Sequence, residues 1–219
     1  MQTQDKPAID KKLPATQITK RDYTPEEYLA LEEKAIDKSE YHDGEIIPMP
    51  GGTTNHNKLA LNFCRKFPLT INDQDYEIFI NDVRLWVSPI RRYFYPDIMV
   101  IQGEPIYQGS NQTIVTNPFL IIEVLSSSTK DYDRGGKFLY YRSIPEFREY
   151  ILIDQYSYHI EQFAKNSNNK WVLTEYDSED AILALESVEF QMPLRDIYER
   201  IVFEAIEAEM DELADEIQE

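Results

Sequence analysis

Hydrophobic positions change their spacing several times along this chain, and each change marks an element. After a polar stretch without periodicity over residues 1–20, Thr24-Pro25-Glu26-Glu27 has the make-up of a helix start. A hydroxyl side chain sits at the cap, proline in the first turn and glutamate three residues after the cap. A helix is expected from 25 to about 35. Asp43-Gly44 lies between two short runs, 39–42 and 45–47, and reads as a hairpin turn. Beyond the Gly51-Gly52 loop, Leu59, Phe63 and Phe67 recur at helical spacing, which predicts a second helix over 56–66 with His56 in its first turn. From Tyr76 the pattern becomes that of strands: 76–87, a turn at 89–92, then 93–101. The almost unbroken apolar run 119–125 suits a strand buried on both faces. A helix over about 134–143 leads to a second buried strand, 149–154, so that strand, helix and strand make a βαβ unit. Residues 158–163 and 170–176 read as a hairpin or meander. From Pro193 an acidic amphipathic helix or helix pair is expected, with Ile197, Ile201, Phe203, Ile206, Met210 and Leu213 as its apolar stripe. The chain thus divides into a flexible N-terminal arm (1–20), one domain (21–200) and an acidic C-terminal helix (201–219).

Length and composition narrow this picture. A chain of 219 residues favours one domain and buries enough apolar surface to need neither disulfides nor a structural metal. The single cysteine, Cys64, excludes an internal disulfide and a zinc site built from several cysteines. No run of roughly 18 apolar residues exists, so no membrane partner is expected. The polar N-terminus carries no apolar signal-peptide core, and a cytoplasmic setting is expected. A formal net charge of −18 opposes phosphate binding. A nucleic-acid ligand would need a local basic cluster or a divalent metal to offset the repulsion.

The informative chemistry lies in the acids around the strands. Glu123 interrupts an apolar strand, where an ionised carboxylate needs a cation, a donor or a water-filled cleft. Its bland reading is an edge glutamate facing solvent, which the apolar flanks disfavour. Asp97 follows Pro96 on the preceding strand and, taken alone, reads equally well as a turn or cap. Together the two could share a hard cation, Mg²⁺ or Mn²⁺. Asp82 and Arg84, two apart on a strand, form either an ion pair or a wall of the cleft, the ion pair being favoured. Arg91, Arg92, Lys130, Arg134 and Lys137 are the candidates for a basic rim. Tyr140 and Tyr141 read as core packing, and His42 and His159 as structural or exposed. Ser126 and Thr129 cap the following helix or approach a phosphate.

Tyr95-Pro96-Asp97, Ile122-Glu123-Val124-Leu125-Ser126, Thr129, Asp133 and Lys137, preceded by the run from Glu40 to Glu45 and by His56, resemble the Uma-type restriction endonuclease family. These are bacterial members of the PD-(D/E)XK nuclease superfamily. The resemblance covers roughly residues 22–200. It implies an α/β (α+β) fold of the restriction-endonuclease-like kind: a central mixed β-sheet flanked by helices, with an N-terminal helix and hairpin and a C-terminal acidic helix. It also implies Asp97 and Glu123 as metal ligands, joined by the backbone carbonyl of Val124. The superfamily's lysine two residues after the acid is Leu125 here, and Lys137 on the following helix takes its place. There it would orient the attacking water or stabilise charge on the phosphate; its bland reading is a solvated helix lysine. Glu40 matches an acidic position ahead of the core, with Glu45 as its competitor. His56 would bind a phosphate or assist proton transfer, or simply be a polar residue at a helix start.

Three readings follow. The first is a Mg²⁺-dependent endodeoxyribonuclease acting on DNA, with a homodimer as a candidate assembly because a two-strand cut often needs two active sites. The second is a catalytically inactive module that keeps the fold and binds nucleic acid or protein. The third is an interaction protein whose C-terminal helix docks a basic partner or a second copy. No methyltransferase partner is identifiable from the sequence.

Overall fold

The computed structural model describes residues 22–203. The expected N-terminal arm lies outside them. Thr24 starts the first helix, α1 (Pro25–Glu32): its hydroxyl accepts the Glu27 amide, and the Glu27 carboxylate accepts the Thr24 amide. Two donors left open by a helix end are thereby satisfied. The hairpin β1 (Ser39–His42) and β2 (Glu45–Pro48) turns at Asp43 and Gly44, with φ of 44° and 106°. Helix α2 (Thr54–Lys66) is capped by the Thr53 hydroxyl, which accepts the His56 amide. Strand β3 (Thr70–Ile71) follows.

The next two expected strands are each divided. Residues 76–87 form β4 (Gln74–Ile80) and β5 (Arg84–Val87), and residues 93–101 form β6 (Arg92–Phe94) and β7 (Ile98–Gln102). At Asn81, φ of 51° turns the chain out of one sheet and into another. Tyr95-Pro96-Asp97 brings it back, and Pro96 has no amide hydrogen with which to continue a ladder. The Asn81 amide donates to the Asp97 carbonyl at 3.2 Å, so the two crossings lie side by side. The Asp82–Arg84 ion pair does not form. Asp82 pairs with Lys38 at 3.0 Å, while the Arg84 guanidinium lies 6.0 Å from the Tyr95 ring centre.

After β8 (Ile114–Val115) comes β9 (Leu120–Leu125), buried along its whole length. The following helical segment begins at Lys130 rather than 134: α3 (Lys130–Tyr132), a π-helical turn (Asp133–Lys137) and α4 (Phe138–Tyr141). Strand β10 (Glu149–Asp154) then runs parallel to β9 with Leu152 opposite Glu123, which completes the βαβ unit. The rest comprises β11 (Ile160–Lys165), β12 (Trp171–Tyr176), β13 (Ile182–Ala184), β14 (Gln191–Pro193) and α5 (Leu194–Ile197).

The large sheet is mixed, in the order β12-β11-β10-β9-β7-β4-β3, and a five-stranded sheet, β2-β1-β6-β5-β8, leans on it. On one face of the large sheet, Leu59 and Phe63 of α2, with Leu194 and Ile197, cover Ile122, Val124 and Ile151. On the other face, Tyr141, Ile144 and Phe147 join Leu85 and Phe94 over Ile121, Leu125 and Leu152. Full burial of each such side chain is worth about 1.5–3 kcal/mol. Three of the chain's 15 tyrosines meet at the five-stranded sheet, where Tyr28 of α1 stacks on Tyr41 and Tyr93 at 5.4 Å.

The C-terminal expectation is corrected in part. Past Pro193 there is one helical turn and then irregular chain to Phe203. Ile197, Ile201 and Phe203 pack on the protein's own core. Ile206, Met210 and Leu213 lie outside the described residues. No helix among the described residues is long and apolar enough to cross a membrane.

Candidate functional site

Glu123 is the one charged residue of β9, a carboxyl group 2% exposed within an otherwise apolar strand. Strand alternation puts it on the same side as Ile121 and Leu125, facing the helical segment that follows. There Lys137 Nζ and the Tyr141 hydroxyl donate to its Oε1 at 3.1 and 2.9 Å. Its Oε2 accepts the Asp97 amide at 3.3 Å. Asp97 stands where the chain returns to the large sheet. Its Oδ2 accepts the Val124 amide at 2.8 Å and lies 3.0 Å from His56 Nε2. The break between β6 and β7 is therefore what aims Asp97 at β9.

Lys137 is buried among acids. Its Nζ lies 3.0 Å from Asp133 Oδ1 and 4.0 Å from Glu40 Oε1, besides the contact with Glu123. The contact with Asp133 Oδ1 is an ion pair without hydrogen-bond alignment. Burial raises the Glu123 pKa well above the ordinary value of 4.5; Lys137 pulls against this, and the charges of Asp97 and Asp133 add to it. Burial pulls the Lys137 pKa down, but Glu123, Glu40 and Asp133 outweigh it and hold the value well above 10.5. Burial likewise lowers the pKa of His56, and the hydrogen bond and charge of Asp97 more than reverse this. Burial and the Glu123 charge keep the Tyr141 hydroxyl protonated and hence a donor.

Asp97, Glu123, Lys137, His56 and Val124 all border one open cavity of about 590 Å³. Val124 touches Asp97 through its amide. Glu40 and Glu45, alternatives by sequence, differ plainly: Glu40 is buried beside Lys137, whereas Glu45 is exposed on the other strand of the hairpin. Of the proposed basic rim, only Lys137 borders the cavity. Arg91 pairs with Asp43 and Arg134 with Glu161, and Arg92 stacks on Tyr140. Lys38 does border it, tied to Asp82 Oδ1 and the Asn81 carbonyl. Sequence pattern missed Lys38, and it read Tyr141 as core alone.

Gln155 was also missed. Its side-chain amide donates to the Leu125 carbonyl at 2.7 Å, and its oxygen accepts the Thr53 hydroxyl. The start of α2, and with it His56, is thereby fastened to the end of β9. His42 is not exposed; it bonds Glu40 at 2.9 Å. His159 lies away from the cavity and pairs with Asp177 and Glu161. Burial lowers its pKa, but those two hydrogen bonds outweigh burial and raise it above 6.5. Such a group adds stability below its unfolded pKa and loses it as the pH rises through the folded one. His159→Asn is therefore expected to lower the melting temperature at about pH 6 and to have little effect at about pH 9, which thermal melts at the two values will show.

Comparison with known proteins follows the same lines. Residues 25–195 match a family model, Uma2, described as "Putative restriction endonuclease". A Synechocystis protein, uncharacterized protein sll1609, is 49% identical over 158 residues, covering 72% of this chain and 89% of that protein. A second, uncharacterized protein slr1290, is 35% identical over 180 residues, covering 82% and 93%. A crystal structure from Anabaena variabilis, described as a putative nuclease belonging to DUF820, aligns with a TM-score of 0.62 at 18% identity. That likeness covers 82% of this chain and 99% of the other, and it concerns the fold.

Proposed function

This chain belongs to the Uma2 family, and from that premise we propose that it is a metal-dependent endonuclease hydrolysing phosphodiester bonds of DNA. The observation that carries the reading is Glu123: a carboxylate sunk in an apolar strand, bordering with Asp97 an open cavity, with a lysine at its side. A titratable group held there against its desolvation cost points to use rather than to stability.

The donor set fits Mg²⁺ or Mn²⁺. Both side-chain ligands are hard oxygens, and Mg²⁺ is commonly held by one or two carboxylates while retaining water for the remaining positions. Among the described residues no group of three or more His, Cys, Asp or Glu is placed to enclose a metal. Two carboxylates beside open space answer to a cation that shares its shell with substrate. Asp97 and Glu123 would hold it, and it would polarise the phosphate and lower the pKa of bound water.

The protein's own groups have separable tasks. The Val124 amide and His56 fix the Asp97 carboxylate. Tyr141 and Lys137 fix that of Glu123 and keep it from rotating away. Lys137 supplies a permanent positive charge at the edge of the cavity, suited to orienting a water or a phosphate oxygen. Glu40 backs Lys137 from the hairpin side.

The test is plasmid nicking and single-strand cleavage with Mg²⁺ or Mn²⁺. Cleavage is expected with either metal, to stop with EDTA, and to be lost in Asp97→Asn. Retained DNA binding with no cleavage under any metal would instead favour the inactive binding module. The observation on that side is that Lys137 is already paired with three carboxylates.

A further inference from the structure

We propose that a cleft beside the carboxylate centre receives one unstacked nucleobase, so that single-stranded DNA is preferred over duplex. The identity of this ligand rests on the nuclease reading above. The cleft lies between the end of β2 and the first turn of α3 and holds about 350 Å³, near the lower end of the roughly 300–1,000 Å³ typical of small-molecule sites. It shares Met49, Thr129 and Lys137 with the larger cavity around Asp97. A phosphodiester held at Asp97 and Glu123 therefore places a neighbouring nucleotide within reach of it.

Its chemistry suits a base and not a phosphate. Its lining includes the apolar side chains of Ile47, Pro48 and Pro50 and the Tyr132 ring. Glu40 and His42 also line it; they share β1 and pair at 2.9 Å. A phosphate would meet the Glu40 carboxylate, whereas a heterocycle finds apolar faces and a hydrogen-bonding edge. Tyr132 is held in place: its ring lies 5.8 Å from that of His42, and its hydroxyl is 3.4 Å from His42 Nε2. Gly136 makes room for it, because a Cβ there would come within 2.6 Å of Tyr132 Cε2. Gly136 belongs to the π-helical turn, a local irregularity frequent at functional sites.

Charge favours the same substrate. The lysines bordering the main cavity, Lys38 and Lys137, are already paired with carboxylates. At a net charge of −18, a grip through many phosphates finds little support. Stacking on an aromatic ring does not depend on that charge. A base already unstacked in a single strand enters without the cost of leaving a duplex.

The test is fluorescence anisotropy of the full chain with a short labelled single strand and with its duplex, Ca²⁺ replacing Mg²⁺. The single strand should bind roughly tenfold tighter or more, and Tyr132→Leu should remove about that factor. Pro48→Glu, a change on the exposed rim, should weaken the single strand likewise if Tyr132→Leu fails to fold. Equal affinity for both DNAs, or a folded variant binding the single strand as the wild type does, overturns the proposal. The two readings fail separately. Wild type that binds as expected and cuts nothing under Mg²⁺ keeps the cleft and removes the nuclease. Wild type that cuts both DNAs alike, with Tyr132→Leu unaffected, keeps the nuclease and removes the cleft.

Discussion

Glu123→Gln is expected to reduce metal-dependent cleavage by on the order of 10²–10³-fold or more, in a protein that still folds. The amide has the shape of the carboxylate, so β9 keeps its packing between β7 and β10. Its oxygen can still accept from Lys137 and Tyr141, as Oε1 does now. What changes is the other end. The amide nitrogen takes the position of Oε2, where the Asp97 amide now donates, and two donors meet. The charge for a cation is gone, and a neutral amide replaces one of two hard ligands. Stability should move little, because a neutral group sheds the desolvation cost that Glu123 bears and Lys137 keeps Asp133 and Glu40 as partners. Nicking rates and thermal melts on the same preparations separate the two effects. Activity within a few-fold of wild type at an unchanged melting temperature would remove Glu123 from the chemistry.

Glu123 was legible in the sequence because its neighbours are so apolar. A run such as 119–125 leaves few explanations for a carboxylate, and the strand is indeed buried throughout. Thr24 and the Asp43-Gly44 turn were legible because their signals are local. The division of 76–87 and 93–101 was not, because alternation reports that a residue faces a core and not which sheet it belongs to. Asn81 and Pro96 were the available signs, and each is also compatible with a bulge or edge. Yet that division is what brings Asp97 to β9. Tyr141 escaped for a related reason: its phenyl ring packs as core, while its hydroxyl finds a partner 18 positions earlier in the chain. Lys38 and Gln155 reach the cavity from loops and strand ends, where no periodicity marks a direction. The stripe from Ile197 to Phe203 shows the opposite failure. Helical spacing was present, but three separate residues dock on the core from one turn and a tail.

Lys137→Met should cost about 3–5 kcal/mol of folding stability near neutral pH, the largest effect expected of any single change at this site. The residue is 8% exposed, and its ammonium faces Glu123, Asp133 and Glu40 together. Methionine fills the volume and leaves three carboxylates facing one another without a counter-charge. Burial already raises the Glu123 pKa above 4.5 against the pull of Lys137, so removing Lys137 raises it further. A carboxyl whose folded pKa is raised contributes its stability below the unfolded value and loses it as the pH climbs through the folded one. The deficit of the variant should therefore be largest at about pH 8 and shrink towards about pH 4.5, as Glu123 takes up a proton. Urea unfolding across that range, with EDTA present so that no metal substitutes for the lysine, measures it directly. Adding Glu123→Gln to Lys137→Met should restore part of the loss, because one of the stranded charges is then gone and the two changes are not additive. A deficit independent of pH, or no recovery in the double variant, would show that Lys137 is not the counter-charge to Glu123 inside the sheet.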